Sequence, residues 1–311
     1  MSLTDRTDAA ALIPEPVANQ IIKALEAKSA TMSLFRTARM SVKQERMPVL
    51  DALPSAYWVN GDTGFRQTTK MAWANKYLVA EVLSVIVPIP KTVLADSQFD
   101  MWGEVQPALV EALSMALDAT VFFGSNAPAS FPTNVQAAAI AAGNTVNRGA
   151  AATSKGGIAE DLNQLMAKVE EDGFGVNGFL TYLAYKKYFR GARDTSGQKL
   201  LDVQTNTIEG QPLFYGMPGV FPRTAGTAEL FAGDWSQFIV GVRQDMMFEI
   251  WKEASIYDPS TQELLYALAQ QGLVAMSVDF RCGWQVANPV TREAPSEDAR
   301  YPAAALLMPS V

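Results

Sequence analysis

The stretch FIVGVRQDMMFEIWKEASIYD, Phe238–Asp258, limits the possible folds more than any other. Phe238, Val240, Val242, Met246, Phe248 and Ile250 fall on one parity, and Gly241, Arg243, Asp245 and Glu249 on the other. Successive side chains point to opposite faces of a strand, so this alternation predicts a strand or hairpin with one buried face. The stretch carries no nucleophile with a base beside it. The question it raises is what a chain of 311 residues does with such a sheet.

Two further extended regions frame a turn. SVKQERMPVLDALPSAYWVN (41–60) predicts strand pieces interrupted by Pro48 and Pro54. GDTGFRQTTK (61–70) is a turn cluster, and MAWANKYLVAEVLSVIVPIP after it predicts one or two long strands. Together they make a long two-stranded arm. An isolated hairpin is marginal in water, so such an arm needs an external surface, often another subunit.

ADSQFDMWGEVQPALVEALSMALDATVFFG (95–124) predicts the longest helix. Asp96 or Ser97 caps its start, Gly124 its end, and Trp102, Val105, Leu109, Leu113, Leu117 and Val121 form its apolar stripe. Pro107 predicts a kink or a fresh helix start there. An amphipathic helix follows at 156–173, then a short strand and helix through VNGFLTYLAYKKYFRGAR, strand fragments in IEGQPLFYGMPGVF, and a short helical segment at 260–270. LVAMSVDFRCGWQVANP alternates again and closes the fold, leaving 291–311 as an irregular tail. Toward the amino terminus, Val17, Ile21, Ile22 and Leu25 predict one short helix behind an extended entry. Strands that resume after a mixed module predict one discontinuous domain with a second domain inserted in it.

Composition narrows function by exclusion. The chain holds no histidine, which removes histidine-based triads and nearly all zinc sites. Its one cysteine, Cys282, reads as a small buried hydrophobe. A net charge of −7 argues against a chain held as a whole to nucleic acid by phosphate neutralisation. GDTG (61–64) and SKGG (154–157) match no phosphate-loop spacing and read as turns. The carboxylates Glu160, Asp161 and EED (170–172) read as a solvated helix face, and YKKYFRGAR (185–193) as a helix with apolar and basic sides. No apolar run approaches the roughly 18 residues of a membrane helix, and no signal peptide is apparent. No catalytic, cofactor-binding or metal-binding residue can be named, and neither an enzyme nor a cofactor is expected.

Several segments in order carry a family resemblance. LIPEPVANQIIKALEAKS, MPVLDALPSAYWVNGD, LVAEVLSVIVPIPKTVLADSQFDMWGEVQPALVEALSMALDATVFFG, ARDTSGQKLL with IEGQPLFYGMP, GDWSQFIVGVRQDMMFEI and VAMSVDFRCGWQVANP together resemble the major capsid proteins of tailed bacteriophages, the Hong Kong 97-like family. The resemblance runs from about residue 12 to 290 and rests on the order and spacing of individually weak motifs.

It implies an α+β fold with four parts: an N-terminal arm at 1–40, an extended β-hairpin loop at 41–90, a peripheral domain with a long spine helix at 91–126 and 236–311, and an axial domain at 127–235. It implies a virion protein, assembled in the host bacterial cytoplasm, that forms hexamers and pentamers of an icosahedral shell around double-stranded DNA. Separate scaffolding, portal and decoration proteins are partners of the family, and no membrane is involved. Trp58, Asp62, Arg66, Lys70, Arg243 and Glu249 are the candidate inter-subunit contacts. The arm begins almost at Met1, where many members carry a long cleavable scaffolding segment, so scaffolding is either a separate protein or not needed. Lys70, Lys76 and Asn288 do not match the family's Lys–Asn cross-link motif residue by residue, so noncovalent assembly is expected. An encapsulin-type nanocompartment shell, with the same fold and an enzyme cargo, is the first alternative; a soluble enzyme with an unrecognised site is the second.

Overall fold

The computed structural model describes residues 29–59, 65–96, 101–192, 206–258 and 260–309. In chain order, helix α1 (Ala30–Leu34) leads into β1 (Arg36–Arg39), and β2 (Gln44–Ala52) and β3 (Ala72–Val79) form a hairpin arm. After β4 (Glu81–Pro90) come helices α2 (Lys91–Asp96), α3 (Met101–Phe123) and α4 (Val135–Ala141). The next module contains β5 (Thr145–Asn147), α5 (Ile158–Glu171), β6 (Gly178–Tyr182), α6 (Lys186–Gly191), β7 (Thr207–Ile208), β8 (Gln211–Gly216) and β9 (Ala228–Gly233). The chain ends with β10 (Phe238–Trp251), β11 (Ser255–Tyr257), β12 (Leu264–Ala267), α7 (Leu268–Gln271), β13 (Leu273–Val286) and β14 (Ala303–Leu307).

The alternating stretch is one 14-residue strand, β10, inside a four-stranded sheet ordered β1-β10-β13-β4. Phe238, Val240 and Met246 are buried in one core with Val278, Phe280 and Trp284 of β13 and Leu109, Leu113, Leu117 and Val121 of α3. Val242 and Phe248 pack against this core from the side, whereas Ile250 lies past its edge, 43% exposed. The opposite parity is not all solvent-facing. Ile239 packs on a second, smaller cluster of Met40, Leu78 and Ala80. Register shifts at Val242/Gln244 and Gln244/Met247 leave Arg243 without a ladder partner. Such irregularities bend a strand and re-aim its side chains.

Residues 29–40, expected to belong to the N-terminal arm, are integrated into this core instead. β1 runs parallel to β10 from Arg36↔Ile239 to Arg39↔Val242. The Phe35 ring stacks on Phe238 at 4.8 Å and lies 5.9 Å from Phe122 and Trp235. Burial of a ring of this size stabilises by roughly 2–3 kcal/mol, enough to fix the segment. The short helix expected from Val17 onward lies outside the described residues.

The second sheet has six strands in the order β5-β14-β9-β6-β8-β7. β14, within the stretch read as an irregular tail, is a central strand here. It pairs parallel with β5 and antiparallel with β9, and Ala303–Leu306 are buried. The end of the 236–311 segment therefore joins the sheet of the inserted module, not the sheet of β10 and β13. The 260–270 segment also differs: β11 and β12 form a hairpin, and only Leu268–Gln271 are helical.

Helix α3 runs continuously through Pro107 and stops at Gly124, which takes φ +74°. Asp96, expected to cap its start, ends α2; Ser97 lies outside the described residues. Val105–Phe123 is long and apolar enough to span a bilayer by length and mean hydropathy, but half of it is buried against the rest of the protein. β2 likewise runs straight through Pro48, opposite Asn75. An edge strand tolerates the missing N–H.

Candidate functional site

The arm offers the most exposed apolar surface. Among the described residues, β2 and β3 pair only with each other, from Gln44↔Val79 to Ala52↔Ala72. Beyond the ladder, Trp58 is fully exposed and Phe65 is 98% exposed; at its outer end Trp73 is 61% exposed. Tyr57, Val59 and Met71 add to the same region. Aromatic side chains bury about 150–250 Å² each in a core or an interface, so leaving several in water marks a contact surface. The expected contact residues Trp58, Arg66 and Lys70 all lie on this exposed tip; Asp62 lies outside the described residues.

The paired strands of the arm are fastened along their length to the arm's own chain. Val290 N donates to Leu50 O at 3.0 Å, and Arg292 Nη2 to Pro54 O at 3.0 Å. Gln285 Nε2 donates to Tyr77 O at 3.0 Å, and Lys76 Nζ lies 2.8 Å from Glu297 Oε1. The Lys76 ammonium holds the Glu297 carboxyl below its ordinary range. Fixed strands and a bare tip suit a projecting contact element.

Arg243 and Glu249 belong to a different surface. Glu249 is exposed on β10, where its Oε2 accepts from Trp251 Nε1 at 3.0 Å. Met247, Ile86 and Val82 are exposed on the same sheet. Arg243 is half-buried at the irregularity. Among the described residues, no hydrogen bond or ion pair links either of them to the arm tip. The Asp245 side chain lies outside the described residues.

The carboxylates read as a solvated face include two buried structural acceptors. Asp161 accepts from Gly149 N at 2.7 Å and Ala151 N at 2.8 Å. Asp172 accepts from Asn144 Nδ2 at 2.6 Å and Tyr301 N at 2.9 Å. A third is Asp118 on α3, to which the sequence assigned no structural role. It accepts from Ser29 Oγ at 2.7 Å and from Ala30 N and Thr31 N at 2.9 Å. Burial pushes its carboxyl above the ordinary value, against the donors that pull it down. One signal was available: Asp118 sits beside Leu117 and four residues after Ser114, inside an apolar stripe.

Glu229, also buried, takes the Arg148 guanidinium at 2.5 Å and the Tyr182 hydroxyl at 3.1 Å. All these acids stitch elements together. Cys282 is buried and its thiol is pushed up to about 12 by desolvation, which makes it a poor nucleophile. Among the described residues, no group of three or more Asp, Glu or Cys side chains is arranged to hold a metal.

The comparisons agree on one family. The model described as "Phage capsid family" matches residues 9–291. A "Major capsid protein" of Staphylococcus phage 80alpha is 24% identical over 272 residues, 86% of this chain and 79% of that one. A solved chain from Microbacterium phage Oxtober96 superposes with a TM-score of 0.79 at 34% identity, covering 99% of this chain and 100% of that one. One from Mycobacterium phage Adephagia gives a TM-score of 0.78 at 26% identity, covering 100% and 99%.

Proposed function

The chain belongs to the phage capsid family as a tailed-phage major capsid protein of Hong Kong 97-like fold, and from this we propose how it builds a shell. It is a structural protein, not an enzyme, and its place is the virion capsid. In our reading, copies gather into hexamers and pentamers around double-stranded DNA, assembled in the cytoplasm of a bacterial host. The arm, β2 and β3 with the turn between them, reaches over the neighbouring copy; β4 (Glu81–Pro90), expected in the same loop, is instead an edge strand of the four-stranded sheet, paired with β13. The four-stranded sheet with α3 forms the peripheral part, and the six-stranded sheet, with β14 added, the axial part.

One observation carries the reading: Trp58 and Phe65 stand almost wholly in water at the end of an arm whose paired strands are fastened. A lone chain gains nothing from exposing these rings, whereas a neighbour covering them gains roughly 25 cal/mol per Å² buried. Overlapping arms also let one chain pair in slightly different ways around fivefold and sixfold positions. Scaffolding, portal and decoration proteins are further partners in this scheme, supported by family membership alone.

The test is Trp58→Ala with Phe65→Ala. The variant keeps the wild-type melting temperature and loses shells in electron micrographs of expressing cells. Shells in normal number would overturn the role given to the arm tip.

A further inference from the structure

Resting on the shell-building reading, we propose that adjacent axial modules join head to tail, with Leu183 and its surrounding cations seated in the Glu170/Glu209-rimmed cavity of the next copy. The two surfaces lie at opposite ends of one strand pair. β6 and β8 run parallel, with Tyr182 beside Gly216 and Phe179 beside Leu213. Leu183 and α6 follow the carboxyl end of β6. The turn at 209–210 precedes the amino end of β8, roughly 20 Å away at about 3.3 Å per residue.

The knob is apolar at its centre and basic around it. Leu183 is 59% exposed in the turn between β6 and α6. Lys186 lies over the Tyr215 ring at 4.3 Å, Lys187 over Tyr188 at 4.6 Å and Arg223 over Tyr182 at 4.6 Å. Arg190 is exposed one turn further along α6. Aromatic backing steadies these side chains and leaves their charge accessible. Arg148 is excluded from the set because Glu229 already neutralises it. Among the described residues, no carboxylate lies within ion-pair distance of Lys186, Lys187, Arg190 or Arg223.

The socket has the complementary composition. A cavity of about 370 Å³ opens between α5 and the β7–β8 hairpin, with Leu162, Met166, Val176 and Ile208 among its lining. Glu170 and Glu209 stand at its rim, both exposed and, among the described residues, both without a cation. Glu209 adopts φ +48° next to Gly210 at φ +79°, the pair that closes a tight hairpin turn. A non-glycine residue is strained there, so the turn presents its carboxylate at the expense of backbone comfort.

A basic knob and an acidic socket at opposite ends of one module let each copy offer a knob to one neighbour and a socket to the next. They fit a heterologous contact, which repeats around an axis and closes into a ring. An apolar centre within opposite charges is also the anatomy of a specific interface.

Charge reversal tests the pairing. Lys186→Glu with Arg190→Glu, and separately Glu170→Lys with Glu209→Lys, leave the melting temperature near wild type and reduce rings and shells by roughly tenfold or more. Combining all four substitutions restores them. Independently, Leu183→Cys with Glu209→Cys gives a ladder of disulfide-linked oligomers on a non-reducing gel, and Leu183→Cys alone does not.

Normal assembly from either reversal, or no recovery in the combination together with no ladder, would overturn the contact. Normal shells that fail only to retain DNA would assign the basic surface to nucleic acid and also overturn it. Neither result touches the capsid function, which fails only if the unmodified chain never assembles.

Discussion

Gly241 and Gly283 stand opposite each other in the β10–β13 ladder, and the chain entering and leaving the arm, at Met40 and at Leu78–Ala80, passes over them. A Cβ at Gly283 would run into the Val79 carbonyl, and one at Gly241 into Met40 Sδ and Leu78. The paired glycines form a gap in the sheet surface through which the arm root lies flat. Gly283→Ala forces backbone to move and costs about 3 kcal/mol, measured by urea denaturation. Gly241→Ala meets side chains that can yield and costs less. Equal stability for Gly283→Ala and wild type would refute the close approach.

Asp118→Ala leaves the Ser29 hydroxyl and the N–H groups of Ala30 and Thr31 buried without an acceptor. Each such group costs about 1–3 kcal/mol, so a loss of about 3 kcal/mol or more is expected. Residues 29–40 should then detach first, seen as fast hydrogen exchange at Ala30, Thr31 and the β1 amides.

The Lys76–Glu297 bridge gives the fastening of the arm a pH dependence. A carboxyl whose folded pKa is lowered adds stability above its unfolded value, ordinarily 4.5, and loses it as pH falls through the folded value. Both side chains are partly exposed, so the contribution is at most about 1 kcal/mol. Proteolysis within 41–80 should quicken below pH 4.5, and Glu297→Gln should show the faster cleavage at neutral pH.

Reversing charge at Arg243 or Glu249 should impair assembly more than folding. Glu249 is exposed and Arg243 half-buried, so the thermal midpoint should hardly move. Normal shells from both Arg243→Glu and Glu249→Lys would remove these residues from any interface.

Cys282 should resist a thiol reagent in the native state and react fully in denaturant, because its thiol is buried and pushed up to about 12. Rapid native labelling would show that β13 opens.

The period-two alternation of β10 and β13 was legible because each packs one side chain in two against α3. Helix α5 was legible from Leu162, Leu165 and Val169 at helical spacing, and the arm from its two apolar runs about a turn. What could not be read depends on distant partners. AAALL, in β14, does not alternate and is too short and small-sided to signal a strand; it is a strand because β5 and β9 cover its two edges. Residues 29–40 look like a loose lead-in, and Asp118, far along the chain, pins them. Asp161 and Asp172 share a composition with solvent-facing acids, and only the loop amides brought to them reveal their role. The Leu183 knob and the Glu209 socket were invisible because sequence does not say which end of a parallel strand pair faces which.

The position of β14 also bears on timing. Strands β5, β6, β8 and β9 leave the ribosome well before residues 303–307, yet β5 has no other partner in the sheet and one edge of β9 stays bare without β14. The six-stranded sheet therefore cannot close until residues 303–307 have been made and docked. A chain cut short of β14 leaves β5 without its sheet neighbour and α5 without a strand that it packs on. Interior placement of β14 makes closure of the six-stranded sheet depend on the last of its strands in chain order.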